Sequence, residues 1–567
     1  MRGKLIQRAV SAVFAVCAVT QLTAMPVSFS GSSVPAALPG TVSAENVQDP
    51  QQVITLCGGW FESAYAEWDS SAVGSDVTVS YAEKGSSSFV QADSELIRGN
   101  RVDIPGLKGD TEYTVKISGS AGSAEFTAKT MSYDRTGYAH YDFSGIGAYN
   151  DDGTLKPDMT VIYVTNENKD TITYNGKTGF YNIFFSAKPK NVVFRLIGSI
   201  DVPSGTVAND GSHNDGSNMV YLQNSSNVTV EGIGPDTNLI EWGIEMKRCT
   251  SCEFRNLWLG NYPDDGIAMT GNVDIRSAHI WVHNNTIEKG YNQFAGNGHV
   301  DADKADGDGS LDMKWSEYVT VSYNKFVNCH KTSLVGGRAD QIQDFITYHH
   351  NWFCNTESRN PRARNAHIHS FNNYFSDNGE YGICASYNSK IFSECNYFER
   401  TNSPLYAINM GKDAYSGTIK SCGDKFDNCA PDEGLAYKIV SSPGETVEIA
   451  NLMDGGEGYD NFDQSLYSYT VQTPDEARAL IMEYAGRMTV KSGSGTVTPP
   501  PDVQPVTGDV NCDGSLNIAD IVLFQKWLLG SGELTSEQAS RADICADGHL
   551  DAFDLCALRK LMIKNKA

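Results

Sequence analysis

The chain has 567 residues, including 53 glycines and 27 tyrosines, and charged residues make up only 20% of it. This composition is typical of a globular, strand-rich protein, and the length favours three or four domains. The net charge of −25 argues against a nucleic-acid partner, because binding phosphate requires a basic surface. An acidic sugar substrate is compatible with it, since a local basic cleft can lie on an acidic protein.

The N-terminus has the layout of a signal peptide. Three basic residues within the first eight positions precede the apolar run Ala9–Val19, which is too short to span a bilayer comfortably. Small residues at Val42–Ala44 offer a cleavage site, and an earlier site near Ala24 is an alternative. We therefore expect residues 1–44 to be a signal peptide and the mature protein to be secreted.

Thirteen cysteines are present, and Cys17 lies within the signal peptide. Export permits disulfides among the other twelve, but their pairing cannot be read from the sequence. Cys249 and Cys252 have the spacing of a metal-binding pair, yet no matching second pair lies nearby. A disulfide or two buried thiols are therefore favoured there over a zinc site.

Residues 45–132 alternate polar and apolar side chains with a period of two between turn residues, which predicts a small β-sandwich. The alternating runs are Val77–Tyr81, Tyr113–Ile117 and Ala124–Thr127. The segment Gly106–Tyr113 resembles the tyrosine corner of a fibronectin type III domain, and Trp68 stands where an early core tryptophan would lie. A spacer role is favoured over carbohydrate binding.

From residue 133 to 492 short β-branched and aromatic runs recur, many followed by asparagine. Asn324, Asn351, Asn373 and Asn396 lie 27, 22 and 23 residues apart. A repeat in the low twenties without helical periodicity predicts a parallel β-helix. Asparagine suits the bends, because it tolerates left-handed backbone and its amide can bond the asparagine one turn above. A sandwich with asparagine-rich turns is the alternative, although its spacing would vary more.

Two acidic groups stand out in this region, Asp264 with Asp265 and Asp308 with Asp312. Asp308 and Asp312 are an even number of residues apart, so on a strand they can face the same side. Grouped carboxylates repel one another unless a hard cation with oxygen ligands lies among them. Solvated loop charges are the alternative.

A basic group follows the acidic ones. Lys331 is its first member. Further along the chain, three arginines lie within one stretch of six residues, Arg359, Arg362 and Arg364. Arginines at this density in an acidic chain suggest recognition of an anion such as a carboxylate. A generic solvated basic face is the alternative.

Several short motifs in this region together resemble those of polysaccharide lyase family 1, the pectate lyases with a right-handed parallel β-helix. In the family's order, the motifs are Asp308–Lys314, Val319–Asn324, His330–Thr332, Tyr348–Asn351 and Arg359–Arg364. The resemblance implies an all-β catalytic domain that cleaves polygalacturonate (pectate) by calcium-dependent β-elimination. One departure is His283-Asn284, where the family usually has Asp-His, and we expect altered local packing there without loss of activity.

The resemblance also implies roles for individual residues. Asp265, Asp308 and Asp312 would bind Ca2+, with Asp264 as a fourth ligand. Arg359 would be the catalytic base. The side chains that bind the carboxylates of the substrate would be Lys331, Arg362 and Arg364. The alternatives are a pectin lyase, a polygalacturonase-type hydrolase that uses paired carboxylates, and a carbohydrate-binding β-helix without catalysis.

Residues 493–507 form a Gly/Ser-rich, then Pro-rich linker, and residues 508–567 carry two EF-hand-type loops, each followed by a helix. The oxygen ligands are Asp509, Asn511, Asp513, Ser515 and Asp520 in the first loop, and Asp543, Asp547, His549 (through its carbonyl) and Asp554 in the second. This tandem resembles a type I dockerin, which implies Ca2+ binding and a cohesin partner on a cellulosome scaffold. The chain would be monomeric before docking.

Two features qualify the dockerin resemblance. Cys545 replaces Asn or Asp at position 3 of the second loop, and a neutral thiol is a poor calcium ligand. The pairs Ile518/Ala519 and Ala552/Phe553 occupy the family's partner-reading positions and differ from each other. We therefore expect weaker Ca2+ binding in the second loop and two unequal docking faces. A calcium-stiffened tail without a partner is the alternative.

Overall fold

The computed structural model describes most of the chain between residues 53 and 565. The described residues are 53–337, 341–407, 417–430, 437–445, 447–448, 459–460, 463, 465–489, 508, 510, 516, 518–532, 534, 536–545 and 550–565. The expected signal peptide (1–44) and linker (493–507) lie outside them. Within this part of the chain, every helix is too short or too polar to cross a membrane.

The N-terminal region folds into two four-stranded antiparallel sheets. One contains Ile54–Trp60, Ser63–Trp68, Arg101–Pro105 and Ile97–Arg98, and the other Val90–Gln91, Thr78–Glu83, Glu112–Ser118 and Ser123–Lys129. Both contribute to one core cluster, which includes Trp68, Val79 and Val115. Burial alternates along Glu112–Ser118, as the period-two pattern predicts.

The next region is a coil of three parallel sheets, which each turn of the chain visits in the order eight-, eleven- and nine-stranded. The eight-stranded sheet contains Met219–Gln223, Gly243–Lys247, Asp265–Thr270, Gly309–Lys314, Leu334–Val335, Arg362–Arg364, Ile383–Ser386 and Leu405–Ala407. The eleven-stranded sheet contains Thr160–Val164, Lys190–Leu196, Ser226–Gly232, Thr250–Arg255, Ser277–His283, Ser316–Ser322, Gln343–His349, Ala366–Phe371, Lys390–Glu394, Thr418–Cys422 and Tyr437–Ile439. The nine-stranded sheet contains Ser199–Ile200, Asn238–Ile240, Trp258–Gly260, Thr286–Glu288, Lys325–Val327, Trp352–Cys354, Tyr374–Ser376, Tyr397–Glu399 and Lys425–Asp427.

All pairing between consecutive coils is parallel, for example Asp265–Thr270 with Gly309–Lys314. The parallel pairing agrees with the predicted β-helix and excludes the alternative of a sandwich. One continuous apolar cluster fills the coil, with side chains such as Ile267, Leu311 and Met313 fully buried. Because side chains alternate along a strand, the polar residues between these apolar ones face outward.

Asparagines stack along the inside of the coil at one corner. The side-chain amide of each donates to the side-chain oxygen of the next at 2.9–3.1 Å. The members of this ladder are Asn285, Asn324, Asn351, Asn373 and Asn396, with Asp424 as the terminal acceptor. The predicted amide ladder is therefore confirmed.

The backbone prediction for these asparagines was wrong. The left-handed residue is the one immediately before each ladder asparagine, for example Tyr323 (φ 50°) and His350 (φ 52°). The bend is thereby made one position earlier, which leaves the asparagine free to point inward. At such a bend tyrosine and histidine adopt a conformation that few side chains favour.

Segments from both ends of this region cover the eleven- and nine-stranded sheets. On one side, the backbone N–H groups of Tyr138 and Ala139 donate to threonine hydroxyls of the eleven-stranded sheet. On the other, the helix Pro474–Tyr484 begins with a capping box at Thr473 and packs its Ile481 against the nine-stranded sheet. These two covering segments therefore pack against the eleven- and nine-stranded sheets.

The remaining elements are short, apart from the helices of the C-terminal region. They are the helices Ser70–Val73, Phe180–Asn182, Ile183–Ala187, Ser94–Leu96, Tyr138–His140 and Ala302–Lys304, and the paired strands Thr173–Tyr174 with Lys177–Thr178 and Val447–Glu448 with Tyr459–Asp460. The C-terminal region contains the helices Ile518–Leu528, Ser536–Ala542 and Ala552–Asn565, whose core includes Phe524 and Leu558.

Cys249 and Cys252 are free thiols buried in the coil. The Cys249 thiol donates to the carbonyl of Leu222 at 3.1 Å. Of the two readings that the sequence favoured, buried thiols are therefore the one observed. Apolar packing keeps this pair as part of the core.

Candidate active site on the eight-stranded sheet

The outer face of the eight-stranded sheet collects the predicted acidic residues. Asp312 lies between the inward-facing Leu311 and Met313, so its side chain faces outward. Asp308 directly precedes this strand, and Asp265 begins the neighbouring one. Parallel pairing of the two strands, with Asp265 opposite Gly309, brings the two acidic groups to one place.

Asp265 has an unsatisfied oxygen. Its Oδ1 is buried and accepts no hydrogen bond. Burial raises the pKa of this carboxyl well above its usual range, and the charges of Asp312, Asp264 and Asp308 raise it further. A buried carboxylate in this position requires a counter-charge, which a bound cation can supply.

The other two predicted ligands already have partners within the chain. Asp312 accepts the backbone N–H of Leu334 through Oδ1 at 2.9 Å, and its Oδ2 lies 3.9 Å from Arg359 Nη1. Asp308 accepts Lys331 Nζ through Oδ1 at 3.1 Å. Burial raises the pKa of Asp308, but the charges of two neighbouring lysines outweigh burial and lower it. Asp308 is therefore held ionised by the chain itself.

Asp264, predicted as a fourth calcium ligand, is instead paired with groups of the chain. Its Oδ2 accepts the backbone N–H of Gly216 at 2.6 Å, and its Oδ1 accepts Lys304 Nζ at 3.0 Å. The same ammonium contacts Asp308 Oδ2 at 3.1 Å and Asp215. Both oxygens of Asp264 thus have partners within the chain, which separates it from Asp265.

Lys331 is nearly buried and points at the acidic group. Its Nζ donates to Asp303 Oδ2 at 2.8 Å and to Asp308 at 3.1 Å, and 7% of its side chain is exposed. A β-bridge to Ser358 fixes its backbone beside the segment that carries the arginines. Lys331 therefore lies between the acidic group and that segment.

The three arginines lie beside the acidic group. Arg359 precedes the strand Arg362–Arg364 in left-handed conformation (φ 61°), and a fifth of its side chain is exposed. Arg362 and Arg364 face outward on that strand, because Ala363 between them is in the core. Arg362 Nε donates to Ser386 Oγ at 3.4 Å, and Arg364 Nη1 donates to the carbonyl of Gly337 at 2.6 Å.

The site contains residues that motif reasoning missed. Lys304, Asp303 and Asp215 complete the ion pairs, and Lys314 follows Asp312 on the same outer face. Burial lowers the pKa of Lys314, but the charges of Asp312 and Asp265 outweigh it and raise the pKa. Lys304 had a signal in the sequence, since it is the one lysine within the acidic stretch 301–308. Lys314 ends the motif Asp308–Lys314, although no role was predicted for it, and Asp303 and Asp215 had no such signal.

The donor set fits calcium. Asp265, Asp308 and Asp312 offer only carboxylate oxygens, which is what a hard cation such as Ca2+ prefers. The buried, unpaired Oδ1 of Asp265 is the atom that most requires such an ion. Lys304 and Lys331 contact Asp308, and Arg359 lies 3.9 Å from Asp312.

A match to the family model described as pectate lyase extends over residues 123–489, well over half of the chain. The chain belongs to the pectate lyase family. The match covers the whole coil, including every residue of the acidic and basic groups. The pectate lyase region of the chain thus carries the site described above.

A second match identifies residues 507–563 as a type I dockerin domain. Asp520 and Asp554, near the beginnings of two dockerin helices, are fully buried. Asp554 accepts the backbone N–H groups of Cys545 at 2.9 Å and Asp551 at 3.0 Å. Asp543 is described and partly exposed. The predicted ligands outside the described residues are Asp509, Asn511, Asp513, Ser515, Asp547 and His549.

Relatives of known name align with the pectate lyase region. A pectate trisaccharide-lyase of Bacillus licheniformis is 31% identical over 217 residues, which are 37% of this chain and 59% of that protein. Pectate lyase B of Dickeya chrysanthemi is 27% identical over 263 residues, 45% of this chain and 66% of that protein. The chain therefore spans less than two thirds of the length of these relatives. The structure of a pectate lyase from Bacillus sp. N165 in complex with trigalacturonate is 24% identical, with a TM-score of 0.45 and coverage of 62% of this chain and 99% of that one.

The departure at His283-Asn284 lies on the opposite, eleven-stranded sheet. His283 is fully buried, its ring stacks on Trp281 with centroids 3.6 Å apart, and its Nε2 lies 3.0 Å from Glu253 Oε1. The residue is thus integrated into packing away from the acidic group. That activity survives the departure stays a prediction.

Proposed function

We propose that the protein is a secreted, calcium-dependent pectate lyase that cleaves polygalacturonate by β-elimination and leaves 4,5-unsaturated oligogalacturonides. The observation that carries the proposal is the buried, unpaired Oδ1 of Asp265 in a group of carboxylates beside Arg359. Family membership supports the same reaction class. The names of the relatives, which are pectate lyases and pectate trisaccharide-lyases, agree with it.

Calcium, when bound by Asp265, Asp308 and Asp312, would neutralise substrate carboxylate charge as negative charge develops at the adjacent carbon. Asp264, predicted as a fourth ligand, would act indirectly by holding Lys304. Lys331 would stabilise the developing charge from a fixed position, because its backbone is bridged to Ser358 and its side chain is nearly buried.

Arg359 would remove the proton from C5 of a galacturonate unit. An arginine accepts a proton only in its neutral form, which alkaline pH favours. The C4 oxygen then departs with the bonding electrons, and the C4–C5 double bond forms.

Other side chains on the outer face form a path for a polyanion. Arg362 and Arg364 lie on one strand, and Lys314 and Lys247 lie on strands of the same sheet. Lys247 lies over the ring of Tyr221 at 4.0 Å, an arrangement that holds its charge at the surface. Successive galacturonate carboxylates can therefore meet successive cations.

The test is the ultraviolet absorbance of the unsaturated product on polygalacturonate, with calcium and with EGTA. We expect absorbance to rise with calcium, faster at alkaline pH, and to stop with EGTA. Arg359→Lys should lose nearly all turnover but still bind the polymer. Arg400→Lys changes an exposed arginine on the nine-stranded side and should keep its turnover. New reducing ends without absorbance would indicate a hydrolase. Activity that survives EGTA, or that needs methylated pectin, would contradict the proposed calcium mechanism.

The dockerin is proposed to bind a cohesin domain of a cellulosome scaffold through its calcium-loaded loops. Phe553, at one of the expected partner-reading positions, exposes 76% of its surface. We propose that this exposed ring contacts the cohesin, because aromatic side chains often contribute strongly to protein interfaces. Phe553→Asp should weaken cohesin binding measured by calorimetry and leave lyase turnover unchanged.

We also propose the division predicted from the sequence, with residues 45–132 as a fibronectin type III-like sandwich, 133–492 as the lyase and 508–567 as the dockerin. Tyr113 supports the first part, since its hydroxyl accepts the backbone N–H of Lys108 at 3.0 Å, as in a tyrosine corner. Trp68 is buried in the shared core of the two sheets. Proteolysis between 493 and 507 should release a fragment that retains lyase activity.

A further inference from the structure

Two histidines face each other at the covered side of the coil. His349 ends a strand of the eleven-stranded sheet, and His350 makes the left-handed bend that follows. Both are buried, and their Nδ1 atoms lie 3.0 Å apart. The pair lies on a different sheet from the carboxylates of the proposed active site.

The outer nitrogens of the pair already carry their protons. His349 Nε2 lies 3.0 Å from the carbonyl oxygen of Thr136, which can only accept, so this nitrogen donates. With the Gln472 amide oriented as in the structure, His350 Nε2 lies 3.2 Å from Oε1 of Gln472 and donates to it. A neutral imidazole has one protonated nitrogen, so both Nδ1 atoms present lone pairs to each other.

A carboxylate completes the group. Asp134 Oδ2 lies 3.8 Å from His349 Nδ1, and the donor atoms of all three residues lie within 4.8 Å of one another. The other oxygen, Oδ1, accepts the backbone N–H of Thr136 at 2.9 Å. With Gln472 in this orientation, two lone pairs and a negative charge converge, an arrangement that a bound cation would stabilise.

We propose that His349, His350 and Asp134 bind a divalent transition metal of the zinc class. Two imidazole nitrogens and one carboxylate oxygen are a common ligand set for zinc, and the ligands of a tetrahedral ion lie about 3.3 Å apart. The observed separations of 3.0 and 3.8 Å approach this value from both sides. A third of the Asp134 side chain is exposed, which gives the ion a route from solvent.

The contacts around the three ligands match those of a metal site. Metal-binding histidines donate their second N–H to a carbonyl or amide oxygen, as both do here to Thr136 and Gln472. Thr136 and Gln472 belong to the two segments that cover the sheet, and Gln472 exchanges two hydrogen bonds with Asn372. The ion would therefore fasten both covering segments to the coil.

One arrangement competes with the metal. If the Gln472 amide is turned over, its N–H2 group donates to His350 Nε2, and His350 Nδ1 can then donate to His349. This chain of neutral hydrogen bonds needs no ion. Calcium does not compete, because it prefers six to eight oxygen ligands.

The experiment uses the full chain without a polyhistidine tag, dialysed against EDTA and then titrated with Zn2+ in excess Ca2+. We expect the wild type to bind one more zinc ion per chain than His350→Gln, and zinc to raise its melting temperature more. Asp134→Asn should weaken this binding by about tenfold or more, with the fold retained because Asp134 is partly exposed. Thiols of the dockerin contribute equally to all variants.

His369→Gln is the matched control. His369 is also a buried imidazole on the eleven-stranded sheet, but its Nδ1 lies 2.6 Å from the hydroxyl of Tyr467. This variant should keep the extra zinc ion. Co2+ in place of Zn2+ should give the visible absorption of a four-coordinate site in the wild type and the control alone. Equal zinc binding by wild type, Asp134→Asn and His350→Gln, with no cobalt spectrum, would overturn the proposal and favour the hydrogen-bonded pair.

Discussion

Two carboxylates on different sheets of the coil, the buried Glu253 and the half-buried Asp265, differ in what neutralises them. On the eleven-stranded sheet, Glu253 accepts Thr229 Oγ1 at 2.7 Å, Arg255 Nη1 at 3.1 Å and is 3.0 Å from His283. Burial raises its pKa, but Arg255 and His283 outweigh burial and lower the pKa to about 2. On the eight-stranded sheet, Asp265 has an oxygen with no partner and a raised pKa.

Under the proposed function, the difference separates a structural carboxylate from one that binds calcium. Glu253 has its counter-charges in the chain, so it stabilises the fold without help. Asp265 has only the charge of Lys314, which is outweighed by burial and by the neighbouring carboxylates, so a bound cation would stabilise its ionised form. Sites that are expensive for the fold alone are where binding is expected.

Asp265→Asn should have the largest effect. Turnover on polygalacturonate should fall about 10³-fold, because roughly 4 kcal/mol of charge stabilisation is lost. In EGTA the variant should melt no lower than the wild type, since a buried, unpaired charge has been removed. Absorbance assays and thermal melts of the same preparations check both. A lower melting temperature in EGTA would show that Asp265 is structural.

Glu253→Gln should have the reverse effect. Removing one partner of a buried ion network costs about 3–5 kcal/mol of unfolding free energy. Turnover per folded molecule should change little, because Glu253 lies on the other face. Denaturant unfolding and active-site-normalised rates measure the two quantities. A loss of turnover equal to that of Asp265→Asn would remove the distinction between the faces.

Asp424→Asn should show, through the pH dependence of stability, what an unneutralised buried carboxylate costs the fold. Burial raises the pKa of Asp424 to about 6, so the folded state keeps the proton that the unfolded chain loses near 3.8. The stability from the neutral form is complete below pH 3.8 and is lost as pH rises through 6, up to about 3 kcal/mol. Asparagine avoids this loss and can continue the ladder, donating to Ser421 as Asn396 donates to Ser393. Melts at pH 4 and pH 8 should show the variant gaining on the wild type only at pH 8.

Lys304→Met should have the smallest effect of the four. The change removes the ammonium that lies among Asp215, Asp264 and Asp308, three carboxylates close enough to share an ion. Calcium should replace it, which adds one bound ion per chain or lowers the half-saturating calcium concentration about tenfold. Lys289→Met, which removes a lysine from the exposed Asp306, is the control. Calcium titration that does not distinguish the two variants would contradict this role.

Much of the fold was readable because its signal is local and repeated. The spacing of Asn324, Asn351 and Asn373 predicted the coil, since each turn places an asparagine at the same bend. The motif around Asp308 and Arg359 predicted which side chains meet. Which asparagine oxygen bonds which amide followed from the same repeat.

What the sequence did not predict depends on contacts between distant segments. Lys304 reaches Asp264 from 40 residues away and occupies it, so the fourth predicted ligand is already paired. Gln472 contacts His350 from 122 residues away, and the repeat of the sequence does not predict that contact. The left-handed bend falls at His350 instead of Asn351 because the asparagine must point inward.

The asparagine ladder has a consequence for how such enzymes can change in length. Each rung bonds the next through the same two contacts, an amide to an amide oxygen and a backbone N–H to that oxygen, as Asn351 does with Asn373. A duplicated coil inserted between these rungs would find its partners already in place. It would lengthen the outer face by about 4.8 Å, the spacing of adjacent strands. Gene duplication of single coils could therefore extend the outer face that we propose binds the polymer, while Asp265 and Asp312 keep their register.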